Sequence, residues 1–497
     1  MAVNPKKLRP YDEPPRRRRS LAPGEPDSAA KAFLVVAALW LLVATGLGAA
    51  WIGGLLFPEQ LTFRFEIPLP IIGALPIEIS SITDGAAFTN ALVYGWVSNA
   101  AFGAILFITP RISGVRVAGE RMAFMAVGAW NLAVAGGIGA VYLPTVSQPG
   151  RLAEFPFLID GLMLLAMLMV NAVFWRTVIS ARQRLPYVSV WFFGVALLAV
   201  MGVYALGAAA ELGVFLISLD QTVVALVKGF MARSIETYWV LGVSLGTLFY
   251  VVPRATGNPL ASIGMAMTAW LLWAGLSAIA ALGALVDPSV PFVITMLGNV
   301  GTMLLVAPVY LTVATLALTI QGRWSRVLSA GTVSFAVVSM AFLLATGLLE
   351  AIGALRTVQG LVRGTEWGIG VWLFGSLGTA TFASFAVIDH ATPRLFRRDW
   401  GGTVLTDAQL WATFAGATLA GVALMFGGIA HGSLLAQAAP PDEITGTLRW
   451  FLMAAGAGIG LAALGSAALL GALFLMYTTA RKATYAVADA IAAAAGH

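Results

Sequence analysis

Cysteine is absent from this chain of 497 residues, which removes disulfides, thiolate metal sites, iron–sulfur clusters and cysteine nucleophiles at once. Histidine is nearly as scarce, with His390, His431 and His497 the whole complement. Charged residues make up 10% of the chain and hydrophobic ones 59%. A water-soluble chain carries about 25% charged residues to solvate its surface, so water-soluble enzymes and nucleic-acid-binding modules are excluded. What is present describes an integral membrane protein. At about 20 apolar residues per crossing the length holds roughly a dozen spans, and 54 glycines allow close helix approach in lipid. The net charge of +6 is read as topology, because Lys and Arg collect at the cytoplasmic face.

Hydropathy places spans near 32–57, 85–109, 119–145, 157–180, 187–215, 231–253, 260–286, 292–320, 327–354, 367–391, 407–435 and 447–478. The expected fold is therefore all-α, a polytopic bundle of twelve transmembrane helices. Three regions are expected: a disordered basic cytoplasmic arm over 1–30, the membrane domain over 31–480 and a cytoplasmic tail over 481–497. The arm carries four consecutive arginines from Arg16 to Arg19 and lacks the apolar core of a signal peptide. With the arm inside, the inner loops hold Arg111, Arg116, Arg121, Arg182, Arg184, Arg254, Arg323, Arg326, Arg394, Arg397 and Arg398, and the tail adds Arg481 and Lys482. The outer loops are poorer, with Arg64, Arg151, Arg356, Arg363 and Arg449, so the charge asymmetry puts both termini in the cytoplasm of an inner-membrane protein. The proline-rich outer connection 58–84 is expected along the membrane surface. The loops carry no phosphate-binding or zinc-type spacing, which argues against ATP-driven transport, and no strong internal repeat is evident.

Ionisable groups within spans are costly and are the first candidates for function. Asp220, Lys228, Arg233 and Glu236 fall in one stretch around the sixth span, with Arg233 and Glu236 three residues apart on one helix face. Two readings stay open: a proton or ion path that uses Asp220 and Lys228, or an intramembrane Arg233–Glu236 ion pair that only fixes packing. Asp84, Asp160, Asp287, Glu350 and Glu366 fall at outer span ends, where interfacial solvation accounts for them. His431 within the eleventh span and His390 at the inner end of the tenth read as hydrogen-bonded packing residues.

Several stretches resemble the catalytic subunit of the heme-copper oxidase superfamily, most of all its C-type and nitric oxide reductase-like members. FTNALVYGWVSNAAFGAILFITPRISG (88–114) is similar to a segment that begins HTNALVFGW and ends in a Pro-Arg or Pro-Lys turn. FPFLIDGLMLL and PYVSVWFFGVALL resemble the fourth and fifth helices. ALVKGFMARSIETYWVLGVSLGTLFYVVPRATGNP (225–259) resembles the stretch ending in YYFVPKxxGxP, and GVWLFGSLGTATFASFAVIDHATPRLF (370–396) resembles the helix that begins HxH and closes in LPRLF.

The resemblance implies twelve helices with cytoplasmic ends, two hemes, one copper and six histidine ligands. Gap-free counting puts the six positions at Phe88, Arg233, Gly283, Ala284, Val371 and Leu373. None is a histidine, and no histidine precedes His390. Iron needs an axial donor and copper needs converging imidazoles, so the expectation is a degenerate site with no heme, no copper, no other metal and no catalytic residue. The leading functional expectation is a cofactor-free homologue of the oxidase catalytic subunit, serving as a structural or accessory membrane subunit of a respiratory electron-transfer complex. Its implied partners are other membrane subunits, a cytochrome c-like or copper-bearing subunit, and lipids, with no nucleic acid. The alternatives are proton or ion conduction through the bundle, and an active oxidase or nitric oxide reductase subunit with unconventional ligands. The cavities left by heme and copper are expected to be filled in part by Phe88, Trp367 and Trp372.

Overall fold

The computed structural model describes residues 24–478, except 70–72, 145–146, 148–149, 182–185, 329–330, 399 and 401–402. Twelve helices long and apolar enough to cross a membrane follow one another: α1 Ser28–Leu56, α2 Ser81–Ser113, α3 Glu120–Val141, α4 Phe157–Ile179, α5 Val188–Val214, α6 Gln221–Thr256, α7 Ile263–Ala284, α8 Phe292–Ile320, α9 Thr332–Gly353, α10 Trp367–Phe396, α11 Val404–Ala436 and α12 Pro441–Thr478. The count and order follow the hydropathy. The largest shift in a boundary is at α6, which starts ten residues before the apolar run because the Asp220 carboxylate accepts from the Thr222 amide and caps it.

In their apolar 18-residue stretches α2, α6 and α10 are buried almost throughout, whereas the other nine bury half of theirs or less. Three inner helices are thus ringed by nine outer ones that face lipid. Being shielded from hydrocarbon, the inner three can carry polar side chains that join them: Trp96 donates to Thr381 at 2.9 Å, and Trp239 donates to Ser98 at 2.8 Å. Each also contains a seven-residue π-helical segment, at Ala91–Val97, Ile235–Leu241 and Phe374–Ala380. Such widened turns shift the register of the side chains that follow and recur at functional sites.

The three inner helices end in the same way. α2, α6 and α10 carry Pro110, Pro253 and Pro393 one turn before their ends, at intervals of 143 and 140 residues. Four residues on, Gly114, Gly257 and Arg397 adopt the left-handed conformation and donate their N–H to that proline's carbonyl.

The outer connection also departs from an all-helical reading. Phe63–Leu69 (β1) and Gly73–Ile79 (β2) form an antiparallel hairpin in which Phe63 faces Ile79 and Leu69 faces Gly73. At the other face, part of the expected arm is ordered: α1 begins at Ser28, the Asp27 amide donates to Glu120 at 2.9 Å, and Arg111 pairs with Asp27. Residues 1–23 and 479–497, which hold the four arginines and the tail, lie outside the described residues.

Candidate functional site

α6 brings Arg233 and Glu236 to the start of the π segment, where they meet groups from other parts of the chain. Arg233 donates to Glu236 at 3.2 Å and, through both terminal nitrogens, to the two oxygens of Glu350 on α9 at 3.2 and 2.7 Å. The fork-to-fork geometry with Glu350 is the stronger contact. Arg151, from the connection between α3 and α4, pairs with the other oxygen of Glu236 at 3.0 Å and lies over the Trp372 ring at 4.6 Å. The result is a chain of four alternating charges, Glu350, Arg233, Glu236 and Arg151. The Arg233–Glu236 pair expected from spacing is therefore present, but it is the weaker half of Arg233's pairing.

A second buried pair was not legible as one. Lys228 and Glu211 meet at 2.8 Å with 4% of each side chain exposed, and Lys228 also donates to the Ala153 carbonyl at 3.2 Å. Nearby, Tyr204 donates to Asp160 at 2.6 Å and Tyr94 donates to the Leu152 carbonyl at 2.6 Å. Glu154, in the buried turn before α4, accepts from Asn90 at 2.9 Å and from the Ala153 amide at 3.0 Å. Burial pushes its carboxyl above the usual carboxylate range. Glu211 and Glu154 escaped the sequence reading, although a lone glutamate in the apolar run AAAELGV is the signal that intramembrane cost should raise.

Other placements need correcting. Asp220 does not join Lys228 in an intramembrane group, because it is an exposed helix cap. Interfacial solvation does not account for Asp84, Asp160, Glu350 or Glu366: Asp84 accepts from Tyr142 at 2.9 Å, Asp160 is held by Tyr204, Glu350 is tied to Arg233, and Glu366 pairs with His431 at 3.0 Å. Asp287 is half-buried and accepts from Ser289. His390 is buried beside Phe107 and Tyr250. His497 lies outside the described residues.

None of the six positions that the sequence resemblance pairs with family ligands carries an imidazole. Phe88 is stacked on Trp51 at 5.7 Å and meets Trp372 edge-on at 5.9 Å. Val371 and Leu373 are buried. At Gly283 the backbone of α7 passes so close to Gly298 of α8 that a Cβ on Gly298 would collide with it. Arg233 is held by two carboxylates. These side chains do not fit an imidazole-ligated iron or copper, and among the described residues no three His, Cys, Asp or Glu side chains converge as a metal site.

The fold and this geometry can be set beside known proteins. The profile of Cytochrome C and Quinol oxidase polypeptide I matches residues 28–461. The chain belongs to that family. The Cbb3-type cytochrome c oxidase subunit CcoN1 of Stutzerimonas stutzeri is 24% identical over 466 residues, which is 90% of this chain and 93% of that one. A cytochrome c oxidase subunit 1 homolog of Azorhizobium caulinodans is 23% identical over 385 residues, 74% of this chain and 66% of that one. A chain of a heme-copper terminal oxidase dimer, solved by cryo-EM, superposes with a TM-score of 0.74 over 92% of this chain and 85% of its own, at 16% identity.

Membership in the polypeptide I family corrects one expectation. The reading of no heme and no copper does not stand, since the family and the fold are those of heme-copper oxidases. The missing imidazoles at Phe88, Arg233, Gly283, Ala284, Val371 and Leu373 describe those six positions and do not establish that cofactors are absent.

Proposed function

We propose that this polypeptide I homologue is an accessory, structural membrane subunit of a multi-subunit respiratory electron-transfer complex. One observation carries the reading: at the helix-six position aligned with a copper ligand the chain has a guanidinium already saturated by Glu350 and Glu236. A paired cation of this kind holds helices together and leaves no free valence for a reacting oxygen. The relatives are themselves named as oxidase subunits, which supports membrane partners for this chain. By the same family logic those partners include a cytochrome c-like or copper-bearing subunit, together with lipid. The charge asymmetry of the loops supports a cytoplasmic-membrane location with both termini inside.

The test is extraction in mild detergent with partners retained, identification of the co-purifying chains, and oxidised and dithionite-reduced spectra with metal analysis. Recovery with oxidase subunits, and an unchanged oxidation rate of the complex when Arg233 and Glu350 are exchanged, supports the accessory role. Stoichiometric heme with oxygen or nitric oxide consumption by this chain would replace it with the enzymatic reading. The second reading, proton or ion conduction, draws support from the buried Lys228–Glu211 pair beside Asp160 and Tyr204. It requires proton uptake by reconstituted vesicles that Glu211→Gln abolishes.

A further inference from the structure

The arginine-rich end of the bundle holds an open pocket of about 310 Å³, where the last turns of α2 and α6 meet the starts of α5 and α7. It contains none of the six positions paired with family ligands. Arg111 and Arg254 line it, with Tyr187, Tyr250 and an apolar wall that includes Ile112 and Leu260. Among the described residues no acidic side chain lines it.

The arginines at this end are not equivalent. Arg111 and Arg394, in the last turns of α2 and α10, donate to the carbonyls of Phe107 and His390, four residues earlier in their own helices. That is the ordinary service of a cation to the negative end of a helix. Arg254, in the last turn of α6, does not perform it. Its side chain is exposed, has no carboxylate or carbonyl partner among the described residues, and lies over the Tyr250 ring at 5.7 Å. Tyr250 is unsatisfied as well. Its ring is buried against Phe107 and His390, yet its hydroxyl makes no hydrogen bond among the described residues, whereas the Tyr187 hydroxyl donates to the Phe249 carbonyl at 2.9 Å. The Tyr250 hydroxyl is not sealed in the core, and the space that Tyr250 lines is this pocket.

Positive charge is in excess here. Asp27 reaches Arg111 only at 3.4 Å, and Asp389 accepts from Thr332. Arg111, Arg254 and Arg394 all lie within electrostatic reach of the buried His390. Guanidiniums and a hydroxyl that face one space call for an anion with several acceptor oxygens, and phosphate is the anion whose geometry arginine matches. The surroundings add an apolar requirement. The first turns of α5 and α7 present Trp191 and Ile263 to the outside, 37% and 67% exposed, so the pocket opens beside the lipid-facing surface. Basic pockets between transmembrane helices hold phospholipid headgroups elsewhere. We propose that this pocket binds a phosphate-bearing anion, its oxygens accepting from Arg254, Arg111 and the Tyr250 hydroxyl. The apolar wall of Ile112 and Leu260 favours a phospholipid headgroup over free phosphate.

The test uses full-length protein, extracted with its partners and washed free of lipid in detergent. Three radiolabelled probes are titrated: phosphatidylglycerol, diacylglycerol with the same chains and no phosphate, and inorganic phosphate. Saturable binding of phosphatidylglycerol, not reproduced by diacylglycerol, is expected. Arg254→Gln should raise its Kd about tenfold, the loss of one charge-assisted contact. Tyr250→Phe, which keeps the ring packing, should raise it about threefold. Arg323→Gln removes an exposed arginine after α8 and should leave it unchanged. Binding of inorganic phosphate with the same dependence on Arg254 would assign the pocket to free phosphate, and phosphatidylglycerol binding without it assigns the pocket to a lipid headgroup. Equal binding of diacylglycerol, no saturable binding of either phosphate-bearing probe, a Kd unchanged by Arg254→Gln, or an equal loss in Arg323→Gln would overturn the proposal. Thermal midpoints that match the parent protein show that the variants remain folded. The accessory role is tested separately, by partner recovery.

Discussion

At the scale of single residues, Arg233 decides more than its sequence neighbour suggests. Removing it strands Glu350, because Glu236 retains Arg151 at 3.0 Å. Arg233→Ala is expected to lower unfolding stability in detergent by about 3 kcal/mol. Adding Glu350→Gln should recover most of that loss, and adding Glu236→Gln little of it. Equal rescue by both would mean that Arg151 does not hold Glu236. Lys228 and Glu211 form the more deeply buried pair, so Lys228→Ala should cost about 3–5 kcal/mol, whereas replacing both by apolar residues of similar volume should cost far less. Denaturation of the single and double variants measures the difference. The Lys228–Glu211 partnership was hidden from sequence because the two residues sit on different helices, 17 positions apart. Arg233–Glu236 was visible because helical periodicity alone puts residues three apart on one face.

At the scale of elements, the three inner helices share one ending and differ in one residue. Gly114 and Gly257 take the left-handed position without strain, but Arg397 holds φ 55° there with a side chain. A left-handed L-residue costs about 1–2 kcal/mol. Arg397→Gly is therefore expected to raise stability by about 1 kcal/mol, read as an increase in thermal midpoint, unless the lost charge at the inner face offsets it. The α7–α8 crossing depends on a glycine in the opposite sense: Gly298→Ala drives a methyl into the Gly283 backbone. It should lower the midpoint by the equivalent of about 1–3 kcal/mol. The shared ending also escaped notice in the sequence. Only a proline and a left-handed residue recur at each, and that is too little to stand out among 23 prolines and 54 glycines.

At the scale of the whole molecule, topology is the testable property. The chain has no cysteine, so single cysteines can be placed without background. Glu59→Cys, exposed after α1, should react with a membrane-impermeant maleimide in intact cells, and Arg323→Cys, exposed after α8, only after permeabilisation. The reverse pattern would invert the proposed orientation. Burial follows the same large-scale plan. The three inner helices are distinguished from the nine outer ones by neighbours, and not by greater apolarity, since each carries buried Ser and Thr, and α2 also Asn90 and Asn99, that lipid would reject.

Twelve spans, their order and the family were all legible in the chain itself. A crossing needs only enough consecutive apolar residues, and the motifs around Pro110, Pro253 and Pro393 are local strings. The six positions without imidazoles were legible for the same reason, although they did not license the conclusion that heme and copper are absent. What the tertiary structure decided is everything that depends on non-local pairing: which carboxylate holds Arg233, which residue neutralises Lys228, and that Asp220 is an exposed cap. Hydrocarbon imposes a length and a composition on each span separately. The cost of an unpaired charge or hydrogen-bond donor depends on what another helix places beside it, and that is settled only when the bundle closes.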